Sequence, residues 1–497
     1  MNRRFFLKLS GCALLGTASN LSAASIAADT TVKHAPNIVF VMADDLSPYE
    51  LGCYGQKKIR TPNIDRLARK GMRFDTCYSS CPVCSPSRCG LLTGKHMGHA
   101  QIRNNWEAGR FDPKGTEGQW PLTADTETIA RVLKRAGYVT GAFGKWGMGG
   151  PHTDGQPMKQ GFDRFYGYNC QRHAHQYWTH FLRSNNKIEP LDNPIIAPHQ
   201  RLPKKADPND PKSYERYFGR VYAPDRILEE AEKFVKASAG KPMFLYYATP
   251  LPHVGLTPPE KETDAYNFPE TPYRGQQGYA PQRRPRAAYA AMVSRIDREV
   301  GRIAELLKAS GEYDNTLFIF TGDNGTTFNG GTDRKFFNAT HNLRAHKGSV
   351  YEGGLRVPFV AAWPGKIPAG TVTTDPIWHV DMFATFCHVA SLPAPKQTDG
   401  TDIVPLLTGE AKTLKRPPFY WEFSGWQALR RGSMSWIRPP RKPTELYDRS
   451  TDPGERKNLA ATRPDLVREG EALMKGAHIP HPQFPLPDEK GNPIRSF

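Results

Sequence analysis

Cysteines, aspartates and one histidine stand where they could do chemistry. Five of the eight cysteines, Cys53, Cys77, Cys81, Cys84 and Cys89, share one stretch. Cys81-Pro82-Val83-Cys84 has the spacing of a redox pair or of half a zinc site. A structural zinc needs a second pair of ligands, and no further C-x-x-C or His pair follows at suitable spacing. A thioredoxin-like pair follows an early strand of a small βαβ unit, which the surrounding sequence does not resemble. Two polar pairs, Asp44-Asp45 and Asp323-Asn324, each close an apolar run. One acidic pair alone reads as a loop or helix cap. A second pair at another such end, together with the cysteine segment, outweighs that reading. His253, in Pro252-His253-Val254, follows a third apolar run.

The runs are Ile38 to Met42, Met243 to Tyr247 and Leu317 to Phe320. They are short and rich in β-branched and aromatic residues, so they read as buried strands. Tyr138 to Phe143 is a fourth. Thr128 to Arg135 reads as a helix with Ile129, Val132 and Leu133 inward, Asp125 or Thr126 as cap and Gly137 as stop. Ala287 to Leu307 is a long helix with its apolar stripe at Met292, Val293, Ile296, Val300, Ile303 and Leu307. Strands alternating with helices predict an α/β domain with a mostly parallel sheet. Ligands bind beyond the carboxyl ends of such strands, where the polar groups fall. Asp192 to Tyr217 and Thr257 to Arg286 read as long surface loops, the usual place for substrate contacts. Beyond Leu407, Phe419 to Phe423, Ala428 to Ile437 and Thr444 to Tyr447 read as short strands and Pro464 to Lys475 as a closing helix. The expected organisation is an α/β domain over 36–406 and a small α+β subdomain with an antiparallel sheet over 407–497.

The composition agrees with a folded protein of this size. The 497 residues are 38% hydrophobic and 23% charged, which excludes wholesale disorder. Gly and Pro number 44 each without a fixed period, so collagen and short-period arrays are excluded. Eight cysteines are too few for a disulfide scaffold of this length. Beyond the N-terminus no apolar run is long enough to span a bilayer. Residues 1–27 read as a signal peptide of twin-arginine type, with Arg3-Arg4 before a weakly apolar stretch. Leu9-Ser10-Gly11-Cys12 also fits a lipoprotein box, so anchoring at Cys12 is the lesser alternative to a free periplasmic or secreted protein. The net charge of +18 favours anionic partners. Nucleic acid is not among the expected partners.

The segment Cys84-Ser85-Pro86-Ser87-Arg88-Cys89-Gly90-Leu91-Leu92-Thr93-Gly94-Lys95 resembles the sulfatase signature, C-x-P-S-R followed by x-x-L-L-T-G. That family belongs to the alkaline-phosphatase superfamily. The resemblance runs along nearly the whole chain after the leader. Thr61-Pro62-Asn63-Ile64-Asp65-Arg66-Leu67-Ala68 precedes the signature. Gly144-Lys145-Trp146, Gly322-Asp323-Asn324-Gly325, Glu352-Gly353-Gly354-Leu355-Arg356-Val357-Pro358 and Glu445-Leu446-Tyr447-Asp448 follow it in the family's order.

The resemblance implies an alkaline-phosphatase-like fold and hydrolysis of sulfate esters. Attack on a sulfate ester builds charge on oxygen, so it needs a strong nucleophile, a cation and help for the leaving oxygen. In sulfatases a maturation enzyme oxidises the signature cysteine to formylglycine, and one hydroxyl of its hydrate takes up the sulfuryl group. Cys84 is the matching residue, and Pro86 and Arg88 match positions the maturation enzyme reads. Cys89 to Thr93 would be a helix whose N-terminus lies beneath the nucleophile. Asp44, Asp45, Asp323 and Asn324, with Cys84, match the metal ligands. Three carboxylates and an amide make a hard oxygen site, suited to Ca²⁺ and alternatively Mg²⁺. Arg88, Lys145, His253 and Lys347 match the cationic groups: Arg88 beside the hydrated aldehyde, Lys145 between nucleophile and sulfate, and His253 and Lys347 on sulfate oxygens, either able to protonate the leaving oxygen.

One position departs from the family. Its motif often continues Lys-Trp-His, the histidine contacting the formylglycine hydroxyl as a base; this chain has Lys145-Trp146-Gly147. His96, His99, His173, His175, His341 and His346 are candidates for replacement or for substrate contact. The charge, basic loops and leader point to a sulfated carbohydrate substrate, and Tyr166 to Trp178 to rings and donors at the pocket rim. The alternatives are a phosphate or phosphonate ester hydrolase of the superfamily and a catalytically silent polyanion-binding protein.

Overall fold

Strand Asn37–Ala43 pairs in parallel with Met243–Ala248 on one side and Thr316–Gly322 on the other. Val139–Lys145 continues the parallel run from Met243–Ala248 to Arg164–Tyr168. Every residue of Asn37–Ala43, Met243–Ala248 and Thr316–Gly322 is buried. That accounts for their near-continuous apolar sequence, since parallel strands are covered on both faces. In Asn37–Ala43 the side chains alternate between two cores: Val39, Val41 and Ala43 enter one, Ile38, Phe40 and Met42 the other.

These five parallel strands are the centre of a ten-stranded mixed sheet in this computed structural model, which describes residues 34–107, 117, 119–393, 396–487 and 489. The signal-peptide and Cys12 readings lie outside the described residues. Phe359–Ala362 joins antiparallel beside Thr316–Gly322, and Phe181–Ser184 antiparallel beside Arg164–Tyr168. The long helix Pro285–Ala309 packs with Ala223–Ala237 and Pro62–Lys70 over one face. Cys84–Thr93, Ile129–Arg135 and Met382–Val389 cover the other. The α/β class with a mostly parallel central sheet is therefore the observed one.

The C-terminal portion is an antiparallel sheet of Phe419–Phe423, Trp426–Arg431, Met434–Arg438 and Glu445–Asp448, with helix Pro464–Ala477. Alternation again divides its side chains. Phe419, Trp421, Ala428, Ile437 and Tyr447 pack with Tyr78, Val350, Leu355 and Trp378, whereas Tyr420, Leu429, Trp436 and Leu446 pack with Met474 of the helix. A buried ion network ties this sheet to the segment Glu352–Leu355: Glu352 accepts from Arg430 at 2.7 Å and Arg356 at 2.5 Å, and Arg430 also reaches Glu455 at 3.1 Å. Burial opposes the Glu352 charge, but Arg356, Arg430 and Arg449 outweigh it and hold the carboxyl below its usual range.

Three local expectations differ from the structure. Ala428 to Ile437 is two strands, because Gly432 turns the chain with a φ of 59°, a conformation glycine adopts without a Cβ penalty. The helix expected from Thr128 begins at Ile129 and is capped by Thr128 itself, whose hydroxyl accepts from the Arg131 amide at 3.2 Å. Asp125 and Thr126 are occupied elsewhere, with Thr123 and Gln101. The helix expected over Cys89 to Thr93 starts earlier, at Cys84, with Pro86 inside its first turn, where proline costs no hydrogen bond.

Candidate active site

The parallel register brings the polar strand ends to one edge. Ala43 is level with Gly322, Met42 with Ala248 and Gly144 with Ala248. The next residues along these strands, Asp44-Asp45, Asp323-Asn324 and Lys145, therefore meet. Asp45 completes its turn at a φ of 66°, a left-handed conformation uncommon for residues other than glycine and best tolerated by Asp and Asn.

Helix Cys84–Thr93 delivers Cys84 to the same place. Its sulfur lies 3.2 Å from Oδ1 of Asp44, 3.9 Å from Oδ1 of Asp45 and 3.7 Å from Nζ of Lys145. Lys145 also donates to Asp44 at 2.5 Å. Arg88, one turn along the helix, donates to Oδ2 of Asp323 at 2.8 and 3.2 Å and to the carbonyl of Lys145. Cys84, Arg88, Asp44 and Asp323 have no exposed surface. Cys84 is thus fully buried rather than at the protein surface. Burial and the Asp44 charge push its thiol well above the usual range, so an unaltered thiol here stays protonated.

Lys347 and His253 close the group. Lys347 donates to Asp45 at 2.8 Å and to Nε2 of His253 at 3.1 Å. Nδ1 of His253 faces the Val254 carbonyl at 2.5 Å, so it carries the hydrogen and leaves Nε2 bare. Burial, then Lys347, lower the His253 pKa to about 4, while Asp45 leads the charges that keep Lys347 protonated despite its own burial. At neutral pH the proton in this pair is on Lys347.

The donor set suits a metal ion. Ligand atoms of Asp44, Asp45, Cys84 and His253 lie within 4.8 Å of one another. Asp323 adjoins them, its Oδ1 accepting from the Asp45 amide at 3.0 Å. Oδ1 of Asn324 is buried without a hydrogen-bond partner among the described residues, while its Nδ2 donates to Asp45 at 2.8 Å. A free buried amide oxygen beside three carboxylates is what a hard cation takes up. Burial, then Asp44, raise the Asp323 pKa to about 7. For Asp44, burial raises the pKa but Lys145, His253, Arg88 and Lys347 together lower it further.

Gly147 has a φ of 85°, and a Cβ there would sit 1.7 Å from Nε2 of Gln171 and 3.0 Å from Oγ of Ser85. The Gln171 side chain therefore fills the space a side chain at 147 would enter. Of the six histidines set beside this gap, His175 alone stacks on a ring of the group, lying on His253 with centroids 4.5 Å apart. His96 and His99 gather on Asp399. His173 is buried against Thr179, His341 stacks on Tyr49, and His346 packs on Phe328. Two neighbours of His175 carried no sequence signal: His199, 3.0 Å from its Nδ1, and Tyr279, edge-on to both His175 and His253. Both come from the long irregular segments, where no periodicity marks an inward side chain.

Known proteins give this arrangement its class. The family model Sulfatase matches residues 36–392, and that described as N-sulphoglucosamine sulphohydrolase, C-terminal, matches 344–467. The chain belongs to the sulfatase family, within the alkaline-phosphatase-like superfamily, and is a sulfuric ester hydrolase. It is 32% identical to N-acetylgalactosamine-6-sulfatase of Canis lupus familiaris, over 81% of this chain and 71% of that protein. It is 32% identical to arylsulfatase A of Homo sapiens, over 90% of this chain and 89% of that protein. The solved structure of Ps i-CgsB in complex with k-i-k-neocarrahexaose superposes with a TM-score of 0.71 at 26% identity, covering 92% of this chain and 95% of that one.

Proposed function

We propose that this protein is an exported sulfatase that removes sulfate from sulfated carbohydrates, with an aldehyde nucleophile formed from Cys84 and a divalent metal, Ca²⁺ before Mg²⁺, held by Asp44, Asp45, Asp323 and Asn324. One observation carries the reading: the buried Cys84 sulfur touches both members of the Asp44–Lys145 ion pair, and Lys347, paired with His253, holds the adjoining Asp45. The side chain at 84 would be converted by a maturation enzyme before export, and the leader of twin-arginine type suits a protein exported folded.

When present, formylglycine supplies a hydrated aldehyde as nucleophile, and the metal supplies Lewis-acid stabilisation of charge on oxygen. The remaining work belongs to the chain. Arg88 neutralises Asp323 and fixes the end of the Lys145 strand. Lys145 and Lys347 now hold Asp44 and Asp45; with those carboxylates on a cation, both ammonium groups are left to bind sulfate oxygens. His253 offers Nε2 as an acceptor, and Lys347 is the group that carries a proton toward the leaving oxygen. Cys84, Arg88, Asp44, Asp45, Lys145, His253, Asp323 and Asn324 are buried, which strengthens each of these contacts, while Lys347 stays partly exposed.

The carbohydrate assignment is supported by three things. Relatives are named for N-acetylgalactosamine-6-sulfate and a similar structure holds a neocarrahexaose. The chain is strongly basic. His175, His199 and Tyr279 add rings and polar tips beside His253, the composition of a sugar-binding rim. The test is a panel of sulfated saccharides against a chromogenic aryl sulfate. Higher kcat/KM on a saccharide, shrinking as salt rises past a Debye length of about 10 Å at 0.1 M, supports the assignment. Equal or better turnover of the aryl sulfate without salt dependence contradicts it and leaves the sulfatase chemistry standing.

A further inference from the structure

Beside Gly147 and Ser85, the residue that follows the nucleophile, lies a polar side chain with no hydrogen-bond partner among the described residues. Gln171 is 2% exposed, yet neither Oε1 nor Nε2 has a hydrogen-bond partner among the described residues. A buried amide left unpaired costs stability, so its retention calls for a partner that is not part of the chain. Its location says which. The amide occupies the space beside Gly147, two residues after Lys145, whose ammonium is 3.7 Å from the Cys84 sulfur. On the other side is Ser85, the residue after Cys84, whose hydroxyl donates to the Gly147 carbonyl at 2.5 Å. The backbone is anchored independently: the Gln171 amide N–H donates to Gln119 at 2.7 Å, and Gly147 N–H to the Asn169 carbonyl at 3.1 Å. The side chain is therefore held beside Gly147 and Ser85, next in sequence to residue 84, with its amide unpaired among the described residues.

We propose that Gln171 is a further residue of the reaction centre, whose amide, seated in the space left by Gly147, hydrogen-bonds an oxygen of the group formed at residue 84. This rests on the conversion of Cys84 proposed above. The amide oxygen accepts from a hydroxyl of the hydrate, a donor that the free aldehyde lacks. A carboxamide takes up no proton in the working pH range. Gln171 thus orients the oxygen and favours the hydrated form of the aldehyde, and proton removal at that oxygen falls to another group or to water.

The test reads the hydrate directly. An aminooxy reagent condenses with a free aldehyde, forming C=N and releasing water, and does not react with the hydrate. Native wild type, Gln171→Ala and the near-isosteric Gln171→Glu are compared by mass spectrometry, each against its own unfolded sample. We expect conversion of residue 84 to be equal in all three. Oxime formation in native Gln171→Ala should be faster than in wild type by roughly two- to tenfold, the worth of one hydrogen bond. Gln171→Glu fills the same space, and its rate should vary with pH across a carboxyl titration where the wild type does not. Equal native rates in all three proteins, flat with pH, overturn the proposal. A wild type that carries an unconverted thiol at 84 overturns the proposed function instead, and this inference with it.

Discussion

His175 lies flat on His253, with ring centroids 4.5 Å apart and planes 7° from parallel. His253 spends Nδ1 on a carbonyl and Nε2 on Lys347, so its exposed quality is its face, and His175 covers it. His175 is in turn bonded to His199 at 3.0 Å and flanked by Tyr279. A chain of rings thus runs from His253 to the loops. Replacing His175 by Ala should raise KM for a sulfated saccharide by roughly two- to tenfold, as for one lost ring contact, and change kcat less. Steady-state kinetics on the best saccharide checks this; an unchanged KM would place His175 outside the substrate's reach.

Removal of the metal should cost both stability and activity. Chelation should lower Tm, because a ion bound only by the folded state stabilises it by about 2.7 kcal/mol at a hundred times its Kd. Added Ca²⁺ should restore both. Asp323→Ala should weaken the response, since it removes one carboxylate of the set. Differential scanning calorimetry with and without chelator reads the shift. Full activity and an unmoved Tm after exhaustive chelation would remove the metal from the site.

Arg88→Ala should be the most damaging single change at the site. Arg88 and Asp323 are both without exposed surface and lie 2.8 Å apart. Removing one partner of a buried pair leaves the other charge uncompensated, at a cost of about 3–5 kcal/mol. Urea unfolding measures it. A loss under 1 kcal/mol, in the range of exposed pairs, would mean that another cation takes up Asp323.

The pH dependence of stability should carry the mark of Glu50. Its carboxyl is buried, accepts from Tyr289 at 2.5 Å and from the Ser47 amide at 2.7 Å, and burial raises its pKa from 4.5 to about 7. The unfolded chain ionises this group more easily. Its contribution is therefore complete below about pH 4.5 and is lost as pH rises to about 7, amounting to about 3 kcal/mol. Glu50→Gln should flatten the stability profile over that window. A profile of the same slope in the variant would assign the titration to another buried acid.

The parallel core was legible because its strands are short apolar runs that stop at polar residues, and those stops share one edge. The C-terminal hairpin was not, because Ala428 to Ile437 is continuously strand-like until Gly432 takes its positive φ. The cap at Thr128 was missed because Asp125 and Thr126 are equally good cap residue types just upstream, and only hydrogen-bond partners separate the three. At the site, Asp44, Asp45, Cys84, Arg88, Lys145, His253, Asp323, Asn324 and Lys347 had motif positions, and the fold draws them together. His199 and Tyr279 had none: both reach His175 from loops far apart in sequence. The relation of Gln171 to Gly147 was beyond reach as well, since a missing Cβ leaves no trace of what fills its place.

The side chain at residue 84 decides whether this protein works through an aldehyde nucleophile. Protein co-expressed with a formylglycine-generating maturation enzyme would be digested, and the peptide carrying residue 84 weighed and fragmented. We expect an aldehyde or its hydrate at 84, with Cys81 and Cys89 still unconverted, and activity that follows the converted fraction and is absent in Cys84→Ala. An intact thiol at 84 in fully active protein, or full activity in Cys84→Ala, would contradict it.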